Sequence, residues 1–135
     1  METLRRDGVT LAYEDRGQGD PTIVLVHGWA CDHSYVAPQA EHFRRTHRVV
    51  AVDLRGHGES DKPEQDYTMA QFADDLVWLC GQLSVVKPVV IGHSMGGVIA
   101  FELAARHPDL PAAVVALDSP IIPPQELREA IAQVV

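Results

Sequence analysis

A serine becomes a nucleophile only where the backbone presents its hydroxyl and a base can take its proton. The pentapeptide Gly92-His93-Ser94-Met95-Gly96 meets the first condition. It follows the apolar run Val89-Val90-Ile91 and precedes a helical pattern over 95–107 that Pro108 stops. This is the strand–turn–helix setting in which G-x-S-x-G presents a nucleophile. A serine at so sharp a turn takes a strained backbone conformation, and the residues two before and two after it crowd the turn. Gly92 and Gly96 remove the Cβ atoms that would clash there. Gly97 adds room for the helix to pack on the sheet. Ser94 would then stand at the carboxyl end of the sheet, where open α/β folds bind ligands. The helix N-terminus beneath it favours developing negative charge. The alternative reading of the same residues is a Gly-rich turn with a purely structural role.

The chain has 7 histidines, and spacing singles out none of them as the base. His93 flanks the serine, and its side chain is expected to point away. His57 lies in a polar loop and reads as structural or solvated. His33, His42, His47 and His107 fall on helices or loop edges with no motif around them. Cys31-x-His33 offers only two metal-ligand types, and nothing completes a zinc set, so no metal is expected.

The elements that must position Ser94 alternate between short apolar runs and helical patterns, the signature of a parallel sheet with crossover helices. Strands are expected at 9–16 (alternating and partly exposed), 22–26, 48–52, 88–91 and 112–117. The last four are continuous apolar runs of the kind buried on both faces. Helices are expected from Asp32 or Ser34 to about Arg45, and from Thr68 through Leu83 with Phe72, Leu76 and Leu79 on one face. Two more cover 95–107 and Gln125 onward. Gly17-Gln18-Gly19-Asp20-Pro21 is a turn cluster. The last helix has no stop signal before Val135, which reads as a truncation.

Composition fits one small globular domain. Of the 135 residues, 46% are hydrophobic and 22% charged, enough to bury a core. Eleven lysines and arginines against 19 aspartates and glutamates leave a net charge of −8. With no basic stripe, nucleic acid and anionic membrane are poor partners. The longest apolar run, about six residues, falls far short of the roughly 18 that span a bilayer. The charged N-terminus has no apolar core region and is not a secretory signal peptide. Cys31 and Cys80 are too few for a disulfide framework and read as free thiols in a reducing cytoplasm.

Three further segments sharpen the reading: Val24-Leu25-Val26-His27-Gly28-Trp29, Asp53-Leu54-Arg55-Gly56-His57-Gly58-Glu59-Ser60, and Ala116-Leu117-Asp118. Together with the elbow, and in this order, they resemble the α/β-hydrolase superfamily, specifically its cofactor-free serine esterases and their relatives. The resemblance runs over residues 8–120. It implies a truncated α/β-hydrolase fold, a mostly parallel sheet with flanking helices. Residues 1–120 would be the N-terminal part of the core and 121–135 the start of a cap region. It implies an acyl-enzyme on Ser94 and an oxyanion hole made by the backbone N–H groups of Met95 and Trp29. Gly28 would let the loop turn toward the site, and His27 would help hold it. The Trp29 side chain would line the acyl pocket or anchor the loop.

The same resemblance exposes a gap. In this fold the triad runs Ser, then Asp or Glu, then His, and no histidine follows His107. The base, and in the usual arrangement the acid, are therefore missing. Asp118 is either the acid of a minority arrangement or a structural residue at a strand end. A serine here argues against the haloalkane dehalogenase and epoxide hydrolase branches, which use Asp. The implied function is a serine hydrolase of carboxylic esters or related acyl compounds, with a small-molecule substrate and no cofactor. Acyltransferases, perhydrolases, carbon–carbon hydrolases and hydroxynitrile lyases share the scaffold. A non-catalytic fragment or degenerate homologue is the alternative from another class.

Overall fold

Four short runs rich in Val, Ile and Leu form the parallel part of a six-stranded sheet. The computed structural model describes residues 1–120 and residue 125. Its elements run β1 (Glu2–Arg6), β2 (Val9–Arg16), β3 (Ile23–Val26), a 3-10 turn (His33–Val36), α1 (Ala37–Phe43), β4 (Val49–Val52), α2 (Met69–Gln82), β5 (Val89–His93), α3 (Met95–Arg106) and β6 (Ala113–Leu117). The strand order is β1-β2-β4-β3-β5-β6. Strands β4, β3, β5 and β6 are parallel, and β1 and β2 join antiparallel. This is the α/β architecture expected from the alternation of strand and helix patterns.

Successive residues of a strand face opposite sides of the sheet, and the two sides here have different covers. Val24, Val26, Val50, Val52 and Val90 pack against Phe72, Leu76 and Leu79 of α2 and Ile99 and Leu103 of α3. Ile23, Leu25, Val49 and Ala51 pack against Val36, Ala40 and Phe43 around α1. Thr68 caps α2 by accepting from the Gln71 N–H, as its position before the apolar stripe predicts. Asp32, rather than Ser34, caps the turn that leads to α1. The helix expected as one piece to Arg45 is two pieces, because Pro38 sits in the first turn of α1 and starts the α-helix afresh.

Two expectations change. Residues 112–117 were expected to form a buried strand, but among the described residues β6 is the sheet edge, with Val115 39% and Leu117 40% exposed. Only the Val114 and Ala116 side meets α3, while α1 and the 3-10 turn pack over β3 and β4. β1 was not anticipated, because its residues are charged rather than apolar. It pairs with β2 through a two-residue Asp7-Gly8 turn, both at positive φ, with Arg6 opposite Val9. Asp-Gly is a strong hairpin signal. Gln125 is helical, and the rest of the helix and cap expected over 121–135 lies outside the described residues. Among the described residues, no helix is long and apolar enough to cross a membrane.

One ion pair ties the β4–α2 loop to the helix layer. Arg55 donates to both oxygens of Asp75, at 2.8 Å each, and Arg6 adds a third donor at 2.9 Å. Asp75 and Arg55 are buried, so removing the carboxylate leaves a guanidinium without its partner. We expect Asp75→Ala to cost about 3 kcal/mol, toward the lower end for a broken buried pair because Arg6 keeps one side near solvent. Urea unfolding measures it. Burial also pushes the Cys80 thiol up to about 11. Iodoacetamide at pH 8 should therefore modify the partly exposed Cys31 in the folded chain, and Cys80 only after unfolding, as intact mass would report.

Candidate active site

β5 ends at His93 and α3 begins at Met95, so the chain reverses on the single residue Ser94. Its backbone lies at φ 53°, ψ −119°, a conformation that costs on the order of 1–3 kcal/mol and survives only where its surroundings impose it. Several contacts impose it. The Ser94 N–H donates to the Leu117 carbonyl at 2.9 Å, and the Ser94 carbonyl accepts from the Gly97 N–H at 3.0 Å. A Cβ at Gly92 would run into the Gly96 carbonyl and the Gly97 nitrogen, and one at Gly96 would meet the carbonyls of Val26 and His27. Ser94 itself is half-buried. The first N–H groups of a helix have no partner within it, and the Met95 N–H is the first of α3.

The register of β3 and β5 sets Val26 opposite Gly92, so the loops leaving these strands emerge side by side. A Cβ on Gly28 would stand 3.3 Å from Ser94 Cβ. The Gly28-Trp29 turn thus passes directly over the elbow. Its anchor is His27, fully buried. His27 Nε2 accepts from the Leu54 N–H at 3.0 Å, and Nδ1 lies 2.8 Å from the Gly28 carbonyl. A backbone N–H only donates and a carbonyl only accepts, so the ring is neutral with its proton on Nδ1. Burial holds the His27 pKa below its ordinary value of 6.5; the backbone bond to Gly28 opposes this.

The loop after β4 supplies the opposite wall. Buried Asp53 accepts from the His33 N–H at 2.7 Å, His33 Nδ1 at 2.8 Å and the Glu59 N–H at 2.8 Å. The His57 ring packs against His27, Trp29 and Phe72 at 5.2, 5.6 and 6.1 Å between centroids. His57 is buried rather than solvated. Trp29, 67% exposed, forms a cavity of about 210 Å³ with Ala30, Gly56, His57 and Tyr67.

Ser94, Met95 and the Gly28-Trp29 turn therefore meet at one place. Asp118 follows directly on Leu117, whose carbonyl holds the Ser94 N–H; it is exposed, at φ 48°. His93 lies on the α1 side, lining a cavity with Tyr35, Val36 and Leu117. Folding also brings Asp32 and Asp53 to His33, with ligand-type atoms within 4.8 Å, a group invisible in the Cys31-x-His33 spacing. Hydrogen bonds already engage its members: Asp32 accepts from Ser34, and Asp53 from His33 and Glu59. Leu54, Tyr67 and the Gly28 carbonyl are site components that sequence reasoning missed. No signal in the sequence points to them, because the contact between Leu54 and His27 joins residues 27 apart along the chain.

A parallel α/β sheet with a serine on a tight elbow after an interior strand, and a His-Gly turn from the neighbouring strand laid over it, defines the class of α/β hydrolases. A sequence model of the alpha/beta hydrolase fold matches residues 21–135, and the chain belongs to that family. It is 36% identical over 110 residues to the 2-(acetamidomethylene)succinate hydrolase of Mesorhizobium japonicum, covering 82% of this chain and 39% of that protein. It is 30% identical over 125 residues to the bifunctional epoxide hydrolase 2 of Rattus norvegicus, covering 88% and 22%. A solved thermophilic esterase from Thermogutta terrifontis superposes with TM-score 0.82 at 37% identity, covering 98% of this chain and 51% of the esterase. The chain thus spans about half or less of the length of these relatives.

Two measurements probe this geometry. Gly96→Ala should abolish the cooperative thermal transition, or drop its midpoint steeply, because the new methyl meets two backbone carbonyls rather than a movable side chain. Acidification tests His27. Its pKa is depressed in the folded state, so its contribution is complete above about pH 6.5, the unfolded value, and is lost as pH falls below it. Asp32 and Asp61 carry carboxylate pKa values lowered by hydrogen bonds, and their losses come only below about pH 4. The urea midpoint should fall as the pH drops below about 6.5, and His27→Leu should flatten that part of the profile.

Proposed function

We propose that Ser94 is the nucleophile of a hydrolase acting on carboxylic esters or related acyl compounds. The single observation that carries the reading is the strained Ser94 turn beneath the Gly28-Trp29 peptide. The hydroxyl attacks the acyl carbon, and the Trp29 and Met95 N–H groups receive the oxyanion. The alcohol leaves, and water then releases the acyl group. Each oxyanion donor is worth about 10²–10³ in rate. A serine forms an ester intermediate from a carbonyl, which favours acyl substrates over the epoxides named for one relative. The substrate is a small molecule, and the Trp29–Tyr67 cavity suits an apolar group beside the carbonyl. The two free cysteines fit a cytoplasmic setting. No histidine follows His107 in the sequence, so this mechanism takes its base from outside the 135 residues. The second reading is a binding module without turnover.

Fluorophosphonate labelling followed by intact mass separates these readings. The full-length protein should take up one equivalent, on Ser94, and Ser94→Ala should take up none. The isolated 135-residue chain should label at least about 10³-fold more slowly, as expected of a triad enzyme without its histidine. Labelling of the full-length protein at another residue would overturn the assignment of Ser94. Full-rate labelling of the isolated chain would put the base within it.

A further inference from the structure

We propose that His57 determines specificity: inside the Trp29–Tyr67 cavity its bare Nε2 accepts a hydrogen bond from a neutral hydroxyl on an aromatic ring of the substrate. Calling the ring's owner a substrate rests on the acyl-transfer reading of Ser94; the binding site does not. His57 is 8% exposed, so more than nine-tenths of it lies in the interior. Its Nδ1 is 3.0 Å from the Arg55 carbonyl. A carbonyl only accepts, so Nδ1 carries the proton, and Nε2 of the neutral ring is an acceptor. Among the described residues no group bonds to Nε2. No sealed-in side-chain nitrogen or oxygen among them lacks a partner either, so Nε2 is not closed off in the core. It opens on the cavity of about 210 Å³ that the ring lines.

The other walls make the same selection. The Tyr67 hydroxyl donates to the Pro63 carbonyl at 2.6 Å, so its proton is engaged and its lone pairs remain. The Tyr67 ring stacks on Phe72, 5.9 Å between centroids and 15° from parallel. It also crowds Gly56, where a Cβ would stand 2.8 Å from Tyr67 Cε1. Trp29 meets the His57 ring edge-on, at 80°. His57 and Tyr67 thus offer acceptors between aromatic surfaces. No Asp, Glu, Lys or Arg lines the cavity, so a cation would find no counter-charge there, which is costly away from water. A neutral donor suits it. A cavity of about 150 Å³ admits benzene, so this one has room for one ring and a hydroxyl. Trp29 links the cavity to the reaction, since its side chain is a wall and its N–H is the proposed oxyanion donor.

The test titrates phenol and toluene into the 135-residue chain labelled with ¹⁵N, at pH 8. The two are alike in shape and differ in the hydroxyl, and toluene is the more hydrophobic. Long-range ¹H–¹⁵N spectra should show His57 with a protonated Nδ1 and a bare Nε2 in the free chain, and phenol should shift the Nε2 resonance saturably. Toluene should bind at least about tenfold more weakly, the effect of leaving a buried acceptor without its donor. In His57→Phe, which keeps a ring and loses the acceptor, that preference should vanish. A proton on Nε2 in the free chain, equal or tighter binding of toluene to the parent, or no response to either ligand would each overturn the proposal. If His57→Phe does not fold, the ring spectrum and the two ligands on the parent decide. In the full-length protein, the methyl ester of 4-hydroxyphenylacetic acid should exceed that of 4-methylphenylacetic acid in kcat/KM at least about tenfold, and the ratio should collapse in His57→Phe. Equal kcat/KM values in the parent would overturn the substrate assignment. Phenol-selective binding in a full-length protein whose Ser94 takes up no fluorophosphonate would instead remove the acyl-transfer reading and leave the His57 site standing.

Discussion

The backbone of Ser94 is held where an L-residue resists being held, and much of the surrounding structure follows from that constraint. Its φ of 53° places the serine at the tip of the β5–α3 turn. That leaves no room for side chains at Gly92 or Gly96 and brings the start of α3 against the carbonyls of Val26 and His27. The edge strand is part of the same arrangement, because the Leu117 carbonyl takes the Ser94 N–H. β6 has one poorly covered face, yet it is tied to the strained residue of the elbow. Strain of this kind is local, while the means of containing it are spread over β3, β5, α3 and β6.

The second organising feature is a loop that is buried without being regular. Residues 53–60 form neither helix nor strand, yet Asp53, Arg55, His57 and Ser60 are buried. A buried loop must satisfy its polar groups internally, and this one does so by bonding to three elements. Asp53 reaches the 3-10 turn, Ser60 Oγ accepts from the Ala12 N–H of β2, and Arg55 grips Asp75 of α2. Among the described residues, no buried side-chain nitrogen or oxygen lacks a partner. The consequence for the site is indirect. A fixed loop presents a fixed Leu54 N–H, and that N–H meets His27.

Signals spanning only a few residues were the most legible in the sequence. Gly92 and Gly96 around Ser94, Thr68 before the α2 stripe and the Val-rich runs of β3 and β4 each announce their role through short-range sterics or periodicity. Those forces act within a few residues, so the residues alone carry them. β1 was missed although Asp7-Gly8 announced it, because its charged strand has no apolar pattern. The exposure of β6 was misjudged for a different reason. An apolar run promises burial, but which strand ends at the edge depends on strand order and on where the helices lie.

By itself, then, the sequence determined the elbow and the parallel α/β class. The tertiary structure decided which groups meet. The Gly28-Trp29 turn lies over Ser94 because of the β3–β5 register. His57 lies against Trp29, and Leu54, 27 residues along the chain, chooses the tautomer of His27. The physical reason is range. Backbone strain and side-chain periodicity are written in neighbouring residues, whereas a hydrogen bond between segments exists only after hydrophobic burial has placed those segments side by side.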